Sequence, residues 1–346
     1  ISYLRLGALC LLSLPVNAAI PGFEEVVVLA DKLFKDTAIV SPTSVITAEE
    51  LQSINMTTVE DALAHEPSLI VRKRFIGDAN GVIGLRGSNM FQTTRSMVFA
   101  DGMPLHFHLQ TRYRGAPRWS LVAPAEIERV EVIYGPYSSE YSGNAIGGVV
   151  NLTTHHPTSE RVNLEVGYFS QQSDGLNTRD TYSGYRTFAS YENDYDALGV
   201  FASYTRLEND SQPQNQLFAK SRSATPTATA VSGAVYGFNE FGDAGIYFAD
   251  SGSEQAITEL FKVKLFYDLE SVQLRGSIAY EDRSRDESQA NNFLYDSSGS
   301  LLFDRRVEVQ GKVYDTYQYG GSRLQNRTQQ RDSLLLGLGA SFQLTS

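Results

Sequence analysis

Residues 124–154 read PAEIERVEVIYGPYSSEYSGNAIGGVVNLTT. Ile127, Val130, Val132 and Ile133 supply a short apolar strand, the Gly135-Pro136 pair breaks it, and Ala145 to Leu152 supplies a second strand behind two adjacent glycines. Taken locally, the stretch is a small compact α/β module. Working upstream, Val45-Ile46 precede Thr47-Ala48-Glu49-Glu50, a capping box in which Thr47 caps a helix and Glu50 returns the bond. A second helix is expected from Thr57 or Thr58, with Val59, Ala62 and Leu63 facing inward, stopping before Pro67. Strands are expected at 68–71, 82–86 and 97–100.

Read as one string, IERVEV-x-YGP followed by SGNAIGGVVNLTT closely resembles the last part of the plug domain of a TonB-dependent outer-membrane receptor. The resemblance extends upstream through SVITAEEL (Ser44 to Leu51), TTVEDAL (Thr57 to Leu63), the P-x-L-x-V strand (Pro67 to Val71), the LRG element (Leu85 to Gly87) and the DG-x-P-L turn (Asp101 to Leu105). It covers nearly all of residues 24–154. What it implies is a membrane β-barrel with an α+β N-terminal plug: a TonB-box segment at 20–30, a plug at 31–156 and barrel strands over 157–346. It also implies a receptor in the outer membrane of a Gram-negative bacterium that imports a scarce nutrient, a ferric siderophore or similar metal chelate, with TonB as partner. A surface receptor for signalling or adhesion, without productive import, is the alternative.

Glu25-Val26-Val27-Val28-Leu29 is a β-branched strand that could pair with the exposed edge of a partner's sheet. Composition alone equally allows an ordinary first strand; the resemblance makes it the TonB box. Ahead of it, Leu4 to Val16 is almost continuously apolar, carries Arg5 near its start and ends in Val16-Asn17-Ala18-Ala19, so residues 1–19 read as a secretory signal peptide. Cys10 lies inside that run, so disulfides play no part in the exported protein.

The formal charge of -11 and the lack of any basic run argue against a nucleic-acid partner. A mean hydropathy of -0.24 excludes a helical membrane protein but not a barrel, whose alternating lipid-facing and lumen-facing residues average out. Period-two alternation recurs after residue 157: Val162, Leu164, Val166 and Tyr168 share a face, as do Phe261, Val263, Leu265 and Tyr267, and Leu334, Leu336 and Leu338. Six strands are expected, at 161–171, 183–193, 197–208, 257–268, 271–285 and 332–345, facing outer-membrane lipid. Tight links near 193–194 and 268–271 alternate with long polar loops over 209–256 and 286–331, the asymmetry of periplasmic turns and extracellular loops. Plugged lumens belong to barrels of about 22 strands, so about sixteen more are expected beyond these six, in a longer chain.

No P-loop, His-Glu-x-x-His helix or Gly-x-Ser-x-Gly elbow occurs, so no enzyme activity and no cofactor are expected. His106 and His108 would face one way in an extended segment, too few ligands for a metal site. Together with Arg112, Tyr113 and Arg114 they lie on a long polar excursion after the Asp101-Gly102 turn, which is costly to order unless it packs or binds something. Because the corresponding family segments rise toward the extracellular vestibule, these five residues are the expected plug side of a small-molecule site, the arginines suiting an anionic chelate. His155 and His156 read as a plug-to-barrel linker. Arg86, Asp101, Glu128, Arg129 and Glu131 sit in apolar plug strands, where pairing with the lumen wall would hold the plug while permitting movement.

Overall fold

The computed structural model describes residues 43–78, 81–88, 95–106, 116–135, 141, 145–222, 227–269, 271–288, 290–302, 305–316 and 327–342. The N-terminal lobe begins with β1 (Thr43–Ile46) and the one-turn helix α1 (Ala48–Gln52), where Thr47 and Glu50 form the expected capping box. The segment expected as a second helix is a 3-10 turn, Val59–Leu63: its five residues tighten into one turn, boxed by Thr58 and Asp61. β2 (Leu69–Arg72) and β3 (Val82–Leu85) pair as a separate two-stranded sheet. β4 (Ser96–Ala100), β5 (Met103–Pro104), β6 (Ile127–Tyr134) and β7 (Gly148–Thr154) join β1 in a sheet of order β1-β6-β7-β4-β5. The quoted stretch thus supplies two of its three inner strands. Val130, Val132, Val150, Leu152, Val98 and Leu85 form the core with Leu63 and Trp119.

The sharp point of this lobe is Gly148, at φ +146°, where an added Cβ would lie 2.3 Å from the Ile133 carbonyl oxygen. Only glycine lets β7 start that close to β6.

The rest of the chain runs through β8 (Arg161–Gly175), β9 (Thr178–Tyr195), β10 (Leu198–Ser211), β11 (Gln216–Arg222), β12 (Thr229–Ala230), β13 (Val235–Phe238), β14 (Ala244–Asp250), β15 (Glu254–Asp268), β16 (Val272–Glu287), β17 (Arg306–Val309), β18 (Lys312–Asp315) and β19 (Arg327–Phe342). Six long strands form one antiparallel wall of order β19-β16-β15-β10-β9-β8, open at both edges. Each of the six expected strands is present and several are longer, chiefly at the end where β8 and β9 meet in a tight turn at 176–177. That end is polar, so the hydrophobic alternation there is weak.

The two faces of the wall differ chemically. Outward, Leu164, Val166 and Tyr168 are about three-quarters exposed and Leu338 is 95% exposed, continuing across Phe261, Leu265, Ile278 and Tyr280. A row of this kind is costly in water and at home against lipid tails. Inward, every even-numbered residue from Glu254 to Lys264 is buried.

The connections expected as plain loops prove to be folded. Described segments within 212–253 and 288–316 build a second six-stranded sheet, β12-β17-β18-β11-β14-β13, over a core of Leu217, Ile246, Phe248, Leu294, Val307 and Tyr314. Both lie at the wall end away from the tight 196–197 and 269–271 turns. Asp250, fully buried, ties this outer lobe to the wall: Oδ2 accepts from Thr178 Oγ1 at 2.6 Å, and Oδ1 from Asn291 Nδ2 at 2.8 Å.

Candidate functional site

The N-terminal lobe meets the inward face of the wall along a ladder of polar contacts on β10, β15, β16 and β19. Nearest the tight-turn end, Lys264 Nζ reaches Asp101 Oδ2 at 3.1 Å and also the Thr154 hydroxyl. Thr154 in turn donates its amide to Asp101 Oδ1 at 2.9 Å and its hydroxyl to Oδ2 at 2.6 Å. Burial disfavours the charged Asp101, but the Lys264 charge and the Thr154 bonds outweigh it and hold the carboxyl below its ordinary range.

One rung further out, Lys262 Nζ lies 2.6 Å from Glu126 Oε2, while Ser203 donates to Oε1 at 3.2 Å. Both charged side chains are buried, Glu126 completely. Ser120 then donates to Glu281 Oε2 at 2.7 Å, and Arg118 lies 3.7 Å from Oε1 while also bonding Ser333. Farthest out, wall side chains capture lobe carbonyls: Arg283 takes that of Gly77 and Asn209 Nδ2 that of Ile76 at 3.0 Å. Between the polar rungs the wall also makes apolar contacts, Leu260 and Ala279 joining the lobe's core with Leu335 packed against it.

Of the charged residues expected to pair with the wall, Asp101 does so. Glu131 instead pairs inside the lobe, Arg129 Nη2 lying 2.6 Å from its Oε1. Glu128 is exposed. Sequence reasoning missed Glu126, Arg118 and Glu281, as well as Lys262 and Lys264 as their kind of partner. The available signal was two lysines on the buried phase of an otherwise apolar strand.

Of the expected substrate residues, His106 is buried behind the β5 turn, and its Nε2 accepts the Val98 amide at 3.0 Å. His108, Arg112, Tyr113 and Arg114 lie outside the described residues, as do Glu25, Val26, Val27, Val28 and Leu29. His156 packs its ring 4.1 Å from that of Phe266, fastening the link into the wall. Among the described residues no group of three His, Cys, Asp or Glu side chains is arranged to hold a metal. Between the β8–β9 turn and the outer lobe lies an open polar recess lined by Asn177, Thr178, Asp180, Tyr182, Asn291 and Tyr295.

A compact sheet lobe clamped by polar rungs to the inner face of a lipid-facing antiparallel wall defines a plugged membrane β-barrel. Residues 35–149 match the family model described as TonB-dependent Receptor Plug Domain. The chain thus carries the plug domain of a TonB-dependent receptor, followed by strands ordered like the first part of a barrel. It is similar to a protein of Acinetobacter baumannii named as a probable TonB-dependent siderophore receptor, PirA, with 28% identity over 189 residues, 50% of this chain and 24% of that protein. Among solved structures, a variant of the ferric enterobactin receptor PfeA of Pseudomonas aeruginosa, in complex with enterobactin, has a TM-score of 0.50 at 18% identity, covering 70% of this chain and 33% of its own. That second likeness bears on the fold. The chain therefore spans about a quarter of the curated relative and a third of the solved receptor.

Proposed function

We propose that this chain belongs to an outer-membrane transporter that binds a ferric siderophore or similar metal chelate on its outer side and admits it to the periplasm when TonB pulls on the plug. In this reading residues 1–19 direct export, residues 20–30 carry the TonB box at Glu25 to Leu29, residues 31–156 are the plug and residues 157–346 open the barrel. His106, His108, Arg112, Tyr113 and Arg114 form the plug side of the substrate site, with His106 positioning the excursion through its bond to Val98. The observation that carries the reading is the polar seam. Its buried rungs, whose polar bonds water can replace when they part, suit a plug that leaves its seat. The siderophore receptor among its relatives supports the substrate class.

Uptake of iron-labelled siderophores, ferric citrate and cobalamin by cells expressing the receptor, with and without TonB, tests the proposal. Energy-dependent uptake of one of them is expected. Surface binding with no uptake of any would favour a signalling or adhesion receptor. Val27→Pro, which removes a strand donor, should abolish uptake and spare binding.

A further inference from the structure

Beyond the Glu126–Lys262 rung, the seam holds a partly open cavity of about 60 Å³ whose lining includes Glu60, Trp119, Arg186, Thr205, Glu281 and Arg283. Three buried polar atoms of these residues have no hydrogen-bond partner among the described residues: Glu60 Oε2 from the plug, Arg186 Nη1 from β9 and Thr205 Oγ1 from β10. A dry, unpaired polar atom costs about 1–3 kcal/mol, so three on residues that line one hollow call for an occupant. At roughly 10–15 Å³ per molecule, the cavity has room for about four waters.

The three atoms also fix the occupant's character. Glu60 Oε2 accepts when ionised and can donate when protonated, Arg186 Nη1 donates, and the Thr205 hydroxyl does either. Water satisfies all three together. An anion would suit Arg186 but would meet the Glu60 and Glu281 carboxylates.

Glu60 is the group whose charge depends on this hollow. Its side chain is 2% exposed, and Lys73 Nζ stands 3.8 Å from Oε1 while bonded to Asp61 and, at 2.9 Å, to Thr58. From the surrounding plug segments come Asp61, Asp78, which pairs with Arg74 at 2.8 Å, and Arg118; from the wall come Arg186, Glu281, Arg283 and Arg331. Burial pushes the Glu60 carboxyl above its ordinary range, and the Lys73 charge opposes that only in part.

We propose that this cavity binds a cluster of ordered water with Glu60 as its acid, so that seating the plug against the wall takes up one proton from solution. The only bond made is Glu60 O–H; the proton returns to solvent when the plug lifts and the carboxylate is rehydrated. A group with a raised value in the seated state favours that state at low pH, and the advantage is lost as pH rises through the raised value. Nothing in this depends on which substrate the receptor carries or on TonB.

Trp119, the single tryptophan of the chain, lines the cavity and donates to the Gly81 carbonyl at 2.7 Å, so it reports on seating. The receptor in lipid vesicles is titrated while its infrared protonated-carboxyl band is recorded, together with Trp119 emission taken as the difference from a Trp119→Phe variant. A protonated carboxyl persisting above the ordinary glutamate value of about 4.3 is expected, with a red shift of emission as it ionises; because burial also raises Glu131, Glu60→Gln should lose one share of the band together with the emission transition. Thr205→Val, which leaves the acid in place but dries its surroundings, should move the transition to higher pH. A band and transition unchanged by Glu60→Gln, or a midpoint unmoved by Thr205→Val, overturns the proposal.

Discussion

Replacing Lys262 by Met tests whether polar rungs hold the plug. The methionine keeps the length of the lysine stem and removes the ammonium that sits 2.6 Å from Glu126, whose side chain is 0% exposed. Ser203 still donates to the other carboxylate oxygen at 3.2 Å, but one hydroxyl does not balance a buried charge. Breaking a buried pair by removing one partner costs about 3–5 kcal/mol. At about 1.4 kcal/mol per decade, the plug should open roughly two to three and a half decades more often. Hydrogen exchange of the β6 and β7 amides in vesicles, read by mass spectrometry, measures that opening directly. The double variant Lys262→Met, Glu126→Leu removes the stranded charge along with its partner, so most of the protection should return, less about 1 kcal/mol for the orphaned Ser203 hydroxyl. A single variant that changes protection by less than about tenfold (~1.4 kcal/mol), or a double variant as loose as the single, refutes the reasoning.

Three further outcomes are expected. The lowered Asp101 value means its contribution to seating is complete above the ordinary carboxyl range and fades as pH falls through the lowered folded value; acid-induced loosening near Thr154 should therefore be flattened in Asp101→Asn, which is looser at neutral pH. Gly148→Ala places a methyl 2.3 Å from the Ile133 carbonyl and 2.7 Å from Leu85 Cδ2, and should lower the yield of protease-resistant plug. Leu336→Lys puts a charge on the lipid face at a position 65% exposed, costing about 2–4 kcal/mol if near the midplane; the folded fraction after insertion into vesicles, seen as heat-modifiable mobility on a gel, should drop.

The plug was legible because its signals are local: the Thr47–Glu50 box, the breaks at Pro67 and Gly135-Pro136, and the paired glycines before Val149 each act within a few residues. The wall was legible where lipid forces alternation, as from Val162 to Tyr168, and grew faint where both faces meet water, as from Gln172 to Tyr182. The outer lobe was not legible. Its strands are as short as Thr229–Ala230, and that one pairs in parallel with Val307 and Glu308, so the information sits in distant partners rather than in periodicity. The seam shows the same limit from another side. Lys262 and Lys264 mark an inward polar phase, but nothing in the sequence pairs them with Glu126 and Asp101, because such matches are set by how two separately folded surfaces dock.

The rungs of the seam join residues 163, 136 and 206 positions apart along the chain, at Asp101–Lys264, Glu126–Lys262 and Gly77–Arg283. Docking therefore lags synthesis of the plug: when β7 is complete, none of the plug's partners on β10, β15 or β16 has yet been made. Until those strands arrive, Glu126 and Asp101 remain hydrated on the surface of a free domain, and contacts of such long sequence separation close slowly. The charged groups that later become rungs therefore serve twice, first as a hydrated polar surface of the plug and then as its fastenings to the wall.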